Sequence, residues 1–155
     1  MLRIGTGVLL FYKSQLLIVQ PVYASEWVLP GGNIESEESP LEGTIREVQE
    51  NLGITIVPTH VLAVDYISNK DSKGEYLSFL FGAADLTEHQ AQNISLSRND
   101  YKDYKFVDIE TACSMLASPI ARRITSALRS ATESYATVYL ENGRLPIDTD
   151  RASLV

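Results

Sequence analysis

Hydrophobic residues along this chain fall into short runs divided by polar punctuation, a pattern that predicts strands more often than helices. Leu9-Leu-Phe-Tyr12 and Leu16-Leu-Ile-Val-Gln20 are β-prone runs separated by Lys13-Ser-Gln15, which reads as two strands and a tight turn. Trp27-Val-Leu29 is a third strand candidate, and Pro30-Gly31-Gly32 after it predicts a sharp change of direction. Further on, residues 54–57, 61–67 and 75–81 read as strands, with a loop over 68–74 between the last two. Lys105-Phe-Val107 closes the series as a final core strand.

One segment has a different period. Ser39-Pro-Leu-Glu42 combines an N-cap serine, a proline at the first helical position and a glutamate three residues after the cap, and Gly53 supplies the stop. Between them Leu41, Ile45, Val48 and Leu52 recur at helical spacing, so one stripe is expected to dock on a sheet and the opposite face is left for polar work. A second helical stretch begins near Asp108, and 119–131 carries Ile120, Ile124 and Leu128 as the apolar face of another amphipathic helix. Strands and helices in this mixture indicate a layered α/β or α+β domain. The tail has its own pattern: Ala136-Thr-Val-Tyr-Leu140, a turn at Glu-Asn-Gly-Arg144, then Leu145-Pro-Ile147. It predicts a hairpin or added strand that pairs with the sheet or with a second copy of the chain in a homodimer.

Composition narrows the class. At 155 residues with 45% hydrophobic and 21% charged side chains, the chain suits one domain with one core, and a single cysteine, Cys113, excludes an internal disulfide and suits a reducing, cytoplasmic setting. No targeting or membrane-spanning run is visible; Val8-Leu-Leu-Phe-Tyr12 is far too short to cross a bilayer. A net charge of −7 argues against holding a nucleic-acid duplex by general electrostatics, although a divalent cation lets an acidic protein bind a polyphosphate.

The candidate chemistry lies on the polar face of the capped helix. Glu47 and Glu50 are three residues apart and Glu47 and Asn51 four, so their side chains emerge together. Two such carboxylates repel unless a cation intervenes, and Mg²⁺ commonly takes one or two protein carboxylates, completing its shell with water and substrate phosphates. Arg46 adjoins this face, and the four-residue spacing from Glu42 suggests a pair through which Arg46 orients a carboxylate.

A strand, a Gly-Gly turn, an acidic loop and a capped helix, in that order, resemble the Nudix family. Its box has the form G-x5-E-x7-R-E-U-x-E-E-x-G-U, with U a bulky aliphatic residue. Here Gly32, Glu38, Arg46, Glu47, Val48, Glu50, Gly53 and Ile54 occupy the fixed positions, and Trp27-Val-Leu-Pro-Gly-Gly32 matches the usual lead-in. Only Asn51, in place of the second glutamate of the pair, departs from the pattern.

The resemblance implies an α/β/α sandwich around a mixed β-sheet, with the Nudix hydrolase domain over residues 1–131 and a C-terminal extension over 132–155. It implies hydrolysis of a phosphoanhydride in a small-molecule nucleotide: a nucleoside triphosphate, a modified nucleotide or a sugar nucleotide. Mg²⁺, or Mn²⁺ in its place, is the implied cofactor. Arg46 orients the catalytic glutamates, Glu47 and Glu50 bind metal or activate water, Glu38 assists, and the Gly32 carbonyl is a ligand. At Asn51 one neutral oxygen stands where relatives carry a carboxylate, so Asp100, or alternatively Asp103, is the expected compensating ligand. The same substitution leaves open a nucleotide-binding sensor that has lost turnover. His60 and His89 read as structural or surface residues. Tyr66, Tyr76, Tyr101 and Tyr104 are core candidates that could also stack on a base, and Trp27 is expected half-buried near the site.

Overall fold

The computed structural model describes residues 2–69, 74–134 and 136–146. Its strands are β1 (Arg3–Leu9), β2 (Phe11–Tyr12), β3 (Gln15–Pro21), β4 (Gly31–Asn33), β5 (Pro58–Asn69), β6 (Gly74–Ala83), β7 (Tyr101–Val107) and β8 (Val138–Glu141). Helices α1 (Pro40–Leu52), α2 (Glu88–Gln92), α3 (Ile109–Met115) and α4 (Ser118–Ser134) complete the described elements. A five-stranded mixed sheet runs β4-β1-β6-β5-β8, with β1–β6 and β5–β8 parallel, and a smaller antiparallel sheet runs β2-β3-β7. The result is the α/β/α sandwich expected from the sequence.

The continuous apolar runs are explained by burial on both faces of the strands. Val8, Leu10, Leu17 and Val19 point to the side covered by α1, where they meet Val48 and Leu52. Leu9, Leu16 and Ile18 point the other way, into a core closed by Ala112 of α3, Leu116 just after it, and Ile124 and Ala127 of α4. The period-2 alternation of side chains thus feeds two hydrophobic layers from the same strands.

Several boundaries differ from the sequence reading. The first strand is Arg3–Leu9, the partner of both β4 and β6; the run ending at Tyr12 crosses from one sheet to the other. Lys13 and Ser14, both at positive φ, form the two-residue turn into β3. Trp27–Leu29 makes only isolated bridges, to Val19 and Leu116, while Gly31 and Gly32, expected to turn, lie in β4. Gly31 has φ 144°, and a side chain there would collide with the Thr6 carbonyl. Residues 54–57 are extended without a ladder: Ile54 and Ile56 are buried, while the Thr55 carbonyl is satisfied by the Gln90 side chain and that of Val57 by the Ala84 N–H. Alternate burial there imitates a strand.

The tail supplies β8, paired with β5, followed by an Asn142-Gly143 turn with both residues at positive φ and a single bridge between Glu141 and Arg144. Of the second arm expected over 145–147, Leu145 and Pro146 form no strand, and Ile147 lies outside the described residues. The turn is tied to the core, since the Gly143 N–H donates to Oδ1 of Asp65, a fully buried carboxylate whose Oδ2 accepts from Arg123 Nε at 2.7 Å. Among the described residues no helix is long and apolar enough to cross a membrane.

Deleting residues 134–155 removes β8, the buried Val138 and Leu140 side chains and one of the two partners of Asp65. The expected loss is at least about 3 kcal/mol of unfolding free energy in denaturant titrations. Equal stability would mean that the β8 pairing contributes nothing.

Candidate active site

Helix α1 begins as its sequence dictates. Ser39 accepts from the Glu42 N–H, the Glu42 carboxylate accepts from the Ser39 N–H, and Gly53 closes the other end in the left-handed conformation with φ 71°. Glu42 is therefore committed to the cap and does not pair with Arg46. The buried face is rotated from the predicted stripe. Val48 and Leu52 are buried as expected, but Leu41 is 44% exposed and the remaining buried positions are Gly43, Thr44 and Asn51. The first turn overhangs the sheet, which leaves Leu41 outside, and Gly43 lies so close to Ile34 and Glu38 that a methyl group there would displace both.

Arg46 organises the polar face. Its Nε and Nη2 donate to the two oxygens of Glu38 at 2.6 and 3.0 Å, a bidentate pair, and Nη2 also reaches the Asn33 carbonyl. Its Nη1 donates to Glu47 Oε1 at 3.2 Å and to Glu50 Oε2 at 3.1 Å, with Glu35 at 3.6 Å. The Arg46 hydrogen bonds hold the Glu38 carboxyl below the usual carboxylate range, and its charge partners raise the arginine further above its own. Glu47 moves the opposite way. Burial raises its pKa, against the pull of Arg46, so its carboxylate holds a proton more readily than a solvated glutamate does.

Gly32 lies hard against this carboxylate: a Cβ at position 32 would fall 2.5 Å from the Glu47 carboxyl carbon. Asn51 is buried, 7% exposed, and its side-chain N–H donates to Glu47 Oε2 at 2.8 Å. In this arrangement it braces Glu47 and presents a donor toward it. Asp100 sits on an exposed loop moored to the end of α1 by the Ser95 and Ser97 N–H groups, and its carboxylate accepts from the Ser97 hydroxyl. It makes no hydrogen bond to the Arg46 cluster, and neither does Asp103, which accepts from the Tyr104 N–H. The structure thus brings Gly32, Glu38, Arg46, Glu47, Glu50 and Asn51 together and leaves Asp100 and Asp103 outside their hydrogen bonds.

The donor set suits a hard cation. Glu47 and Glu50 each direct one oxygen at Nη1 of Arg46, which brings the two carboxylates together, and Gly32 adjoins Glu47. Among the described residues no group of three His, Cys, Asp or Glu side chains forms a ready ion cage. The fit is to a divalent ion that takes few protein carboxylates and fills its shell with water and phosphate oxygens.

A cavity of about 280 Å³ opens beside Gly32, walled by Thr6, Leu29, Tyr76, Ser78, Tyr101 and Arg123. Tyr101 donates to the Gly31 carbonyl and Tyr76 to the Asn33 side chain, so both tyrosines are fixed. Trp27 does not line this cavity; it packs against the α3–α4 core, with Lys105 over its ring. His60 packs over Gly82, and His89 bonds locally to Asn93, both away from the cluster. Asp65 and Arg123 were not singled out from the sequence. Their only signal is that each is a charge within an apolar pattern: Asp65 inside Val61–Ile67, and Arg123 between Ile120 and Ile124.

The NUDIX domain model matches residues 1–128, and the chain belongs to that family. It is 31% identical over 83 residues to a mouse diphosphoinositol polyphosphate phosphohydrolase 3-alpha, covering 54% of this chain and 50% of the relative. It is 26% identical over 98 residues to a probable DHNTP pyrophosphohydrolase of Lactococcus lactis subsp. cremoris (strain MG1363), covering 59% and 58%. The chain therefore spans only about half the length of these curated relatives. In fold it resembles the crystal structure of a MutT protein from Methanosarcina mazei Go1, with TM-score 0.73 and 22% identity over 85% of this chain and 96% of that one.

Replacing Asn51 by Glu puts a buried carboxylate where an amide now braces Glu47. Without divalent ions the variant is expected to melt below the wild type, because two carboxylates then face each other. Millimolar Mg²⁺ should stabilise it more than the wild type, by about 1.4 kcal/mol for each tenfold gain in ion affinity. Equal Mg²⁺ shifts in thermal melts would remove position 51 from the metal site.

Proposed function

We propose that this chain is a divalent-metal-dependent Nudix hydrolase that cleaves a phosphoanhydride bond in a nucleoside diphosphate linked to a further group. The observation that carries the reading is the convergence of Glu38, Glu47 and Glu50 on the Arg46 guanidinium, beside Gly32 and a cavity. Two curated relatives named as a phosphohydrolase and a pyrophosphohydrolase support it.

The residues divide the work by environment. Glu47 and Glu50 would hold the ion together with the Gly32 carbonyl. A bound divalent ion supplies charge neutralisation for the phosphate oxygens and acidifies nearby water. Glu47 or Glu50 would take the proton as the water oxygen bonds to phosphorus and the bridging P–O bond breaks, its electron pair leaving with the departing phosphate oxygen. Arg46 aligns both carboxylates, and Glu38 fixes Arg46. Asp100, on the loop beside Tyr101, is the further carboxylate proposed to supply the oxygen that Asn51 does not.

The charge of the cavity selects among substrates. Among the described residues Arg123 is the only charged side chain on its wall, and Asp65 already neutralises it. A diphosphoinositol polyphosphate of the kind named for the mouse relative would need several cations there, so a substrate with a neutral group in the cavity and its phosphates toward Glu47 fits better. The rival reading, a sensor without turnover, draws on Asn51, but the Arg46 network with its three box glutamates is complete and favours an enzyme.

Glu47→Gln and Glu50→Gln should each lower turnover about 10²-fold or more with little change in melting temperature. The assay is phosphate or pyrophosphate release from a nucleotide panel with Mg²⁺ or Mn²⁺. Near-wild-type rates in either variant, or full activity in a metal chelator, would overturn the mechanism.

A further inference from the structure

The cavity beside Gly32 contains a cation that the hydrolytic chemistry does not use. Arg123 of α4 is 8% exposed, and its Nε is spent on Asp65 at 2.7 Å. The orientation is fixed from behind, because Asp65 is fully buried and its second oxygen accepts from the Gly143 N–H at 3.0 Å. Among the described residues Nη1 and Nη2 have no hydrogen-bond partner. They are not sealed from solvent either, since the only buried, unpartnered side-chain nitrogen or oxygen among the described residues is the Thr6 hydroxyl. Both Arg123 and Thr6 line the cavity. Two guanidinium nitrogens and one hydroxyl, on residues that wall the same cavity, are therefore left without partners among the described residues.

We infer that this cavity receives the heterocyclic base of the substrate, and that Arg123 reads a base edge on which a carbonyl oxygen lies next to a ring-nitrogen acceptor. The assignment rests on the hydrolase reading of the same site and adds its substrate class. Four properties select this ligand. The Arg123–Asp65 pair is neutral overall, which suits an uncharged partner better than a phosphate. The guanidinium edge offers two coplanar donors, which match adjacent acceptors on a flat ring and clash with an exocyclic amino group. Leu29, Tyr76 and Tyr101 give the ring apolar and aromatic walls. At about 280 Å³ the space lies at the small end of ligand pockets, enough for a base but not for a whole nucleotide, so the sugar and phosphates must extend past Gly32 toward Glu47.

A 6-oxopurine such as guanine has this edge; adenine carries a donor at the matching position. The geometry therefore sets an order of preference, with Arg123 as a recognition residue and Asp65 as a positioning residue. Gly143 extends the support to the C-terminal turn, beyond the residues matched by the family model.

The test is calorimetric binding of GMP and AMP to the metal-free protein, so that no turnover is needed. The wild type should bind GMP about tenfold or more tightly than AMP. Arg123→Lys keeps a positive charge for Asp65 but spends it there, and should bring the two affinities to within about twofold. The double variant Asp65→Leu/Arg123→Met removes both charges without leaving either unpaired, guards against a folding failure, and should show the same loss of preference. Equal affinities in the wild type, or a preference that survives in both variants, would overturn the assignment. Guanine-selective binding without hydrolysis would sink the enzymatic reading and leave Arg123 in its role; hydrolysis indifferent to Arg123 would do the reverse.

Discussion

Among the described residues the Arg46 guanidinium is the one cation that pairs with Glu35, Glu38, Glu47 and Glu50, and the active face of α1 depends on it. Several carboxylates packed on one helix face and its leading loop repel one another, and this side chain relieves them. Glu38 grips it with both oxygens, which fixes the plane of the guanidinium and so the direction in which Nη1 draws Glu47 and Glu50. One guanidinium does not balance these carboxylates, and the remaining negative charge is the electrostatic reason a divalent ion and its phosphate ligands would be drawn there. The loop from Gly32 to Ser39 can bring Glu38 this close only because Gly43 has no side chain.

Much of this was legible in the sequence because it is local. The capping box, the Gly53 stop and the spacing of Arg46, Glu47 and Glu50 are decided within one helix, where neighbours in sequence are neighbours in space. Two local expectations still gave way to tertiary demands. Glu42 had two partners at suitable spacing and took the Ser39 N–H, leaving Arg46 to Glu38 across the loop. The docking face turned toward Thr44 and Asn51, because α1 meets β4 as well as the core strands, and a polar residue is tolerated there when it has a partner: Thr44 bonds to the Pro40 carbonyl and Asn51 to Glu47.

What the sequence could not reveal is what joins distant segments. Arg3–Leu9 is a central strand, yet glycines at 5 and 7 weaken its β-character, and the Gly5 site is needed to seat the Tyr76 ring. Residues 54–57 show strand alternation without a strand because one side packs on the α1 core while the other faces solvent. Asp65 and Arg123 lie 58 residues apart, and only the β5–α4 packing makes a pair of them. The base cavity is assembled from β1, β4, β6, β7 and α4, so no single window of sequence carries its signature.

Glu38 acts on the carboxylates through Arg46, so the most direct measurement is hydrolysis rate against Mg²⁺ concentration for the wild type and Glu38→Gln. Loss of one charge-assisted grip should loosen Arg46, raise the Mg²⁺ concentration needed for half-maximal rate and lower the maximal rate, although the substituted side chain keeps its size. Superimposable curves for the two proteins would contradict the claim that this arginine, held by this glutamate, sets the site.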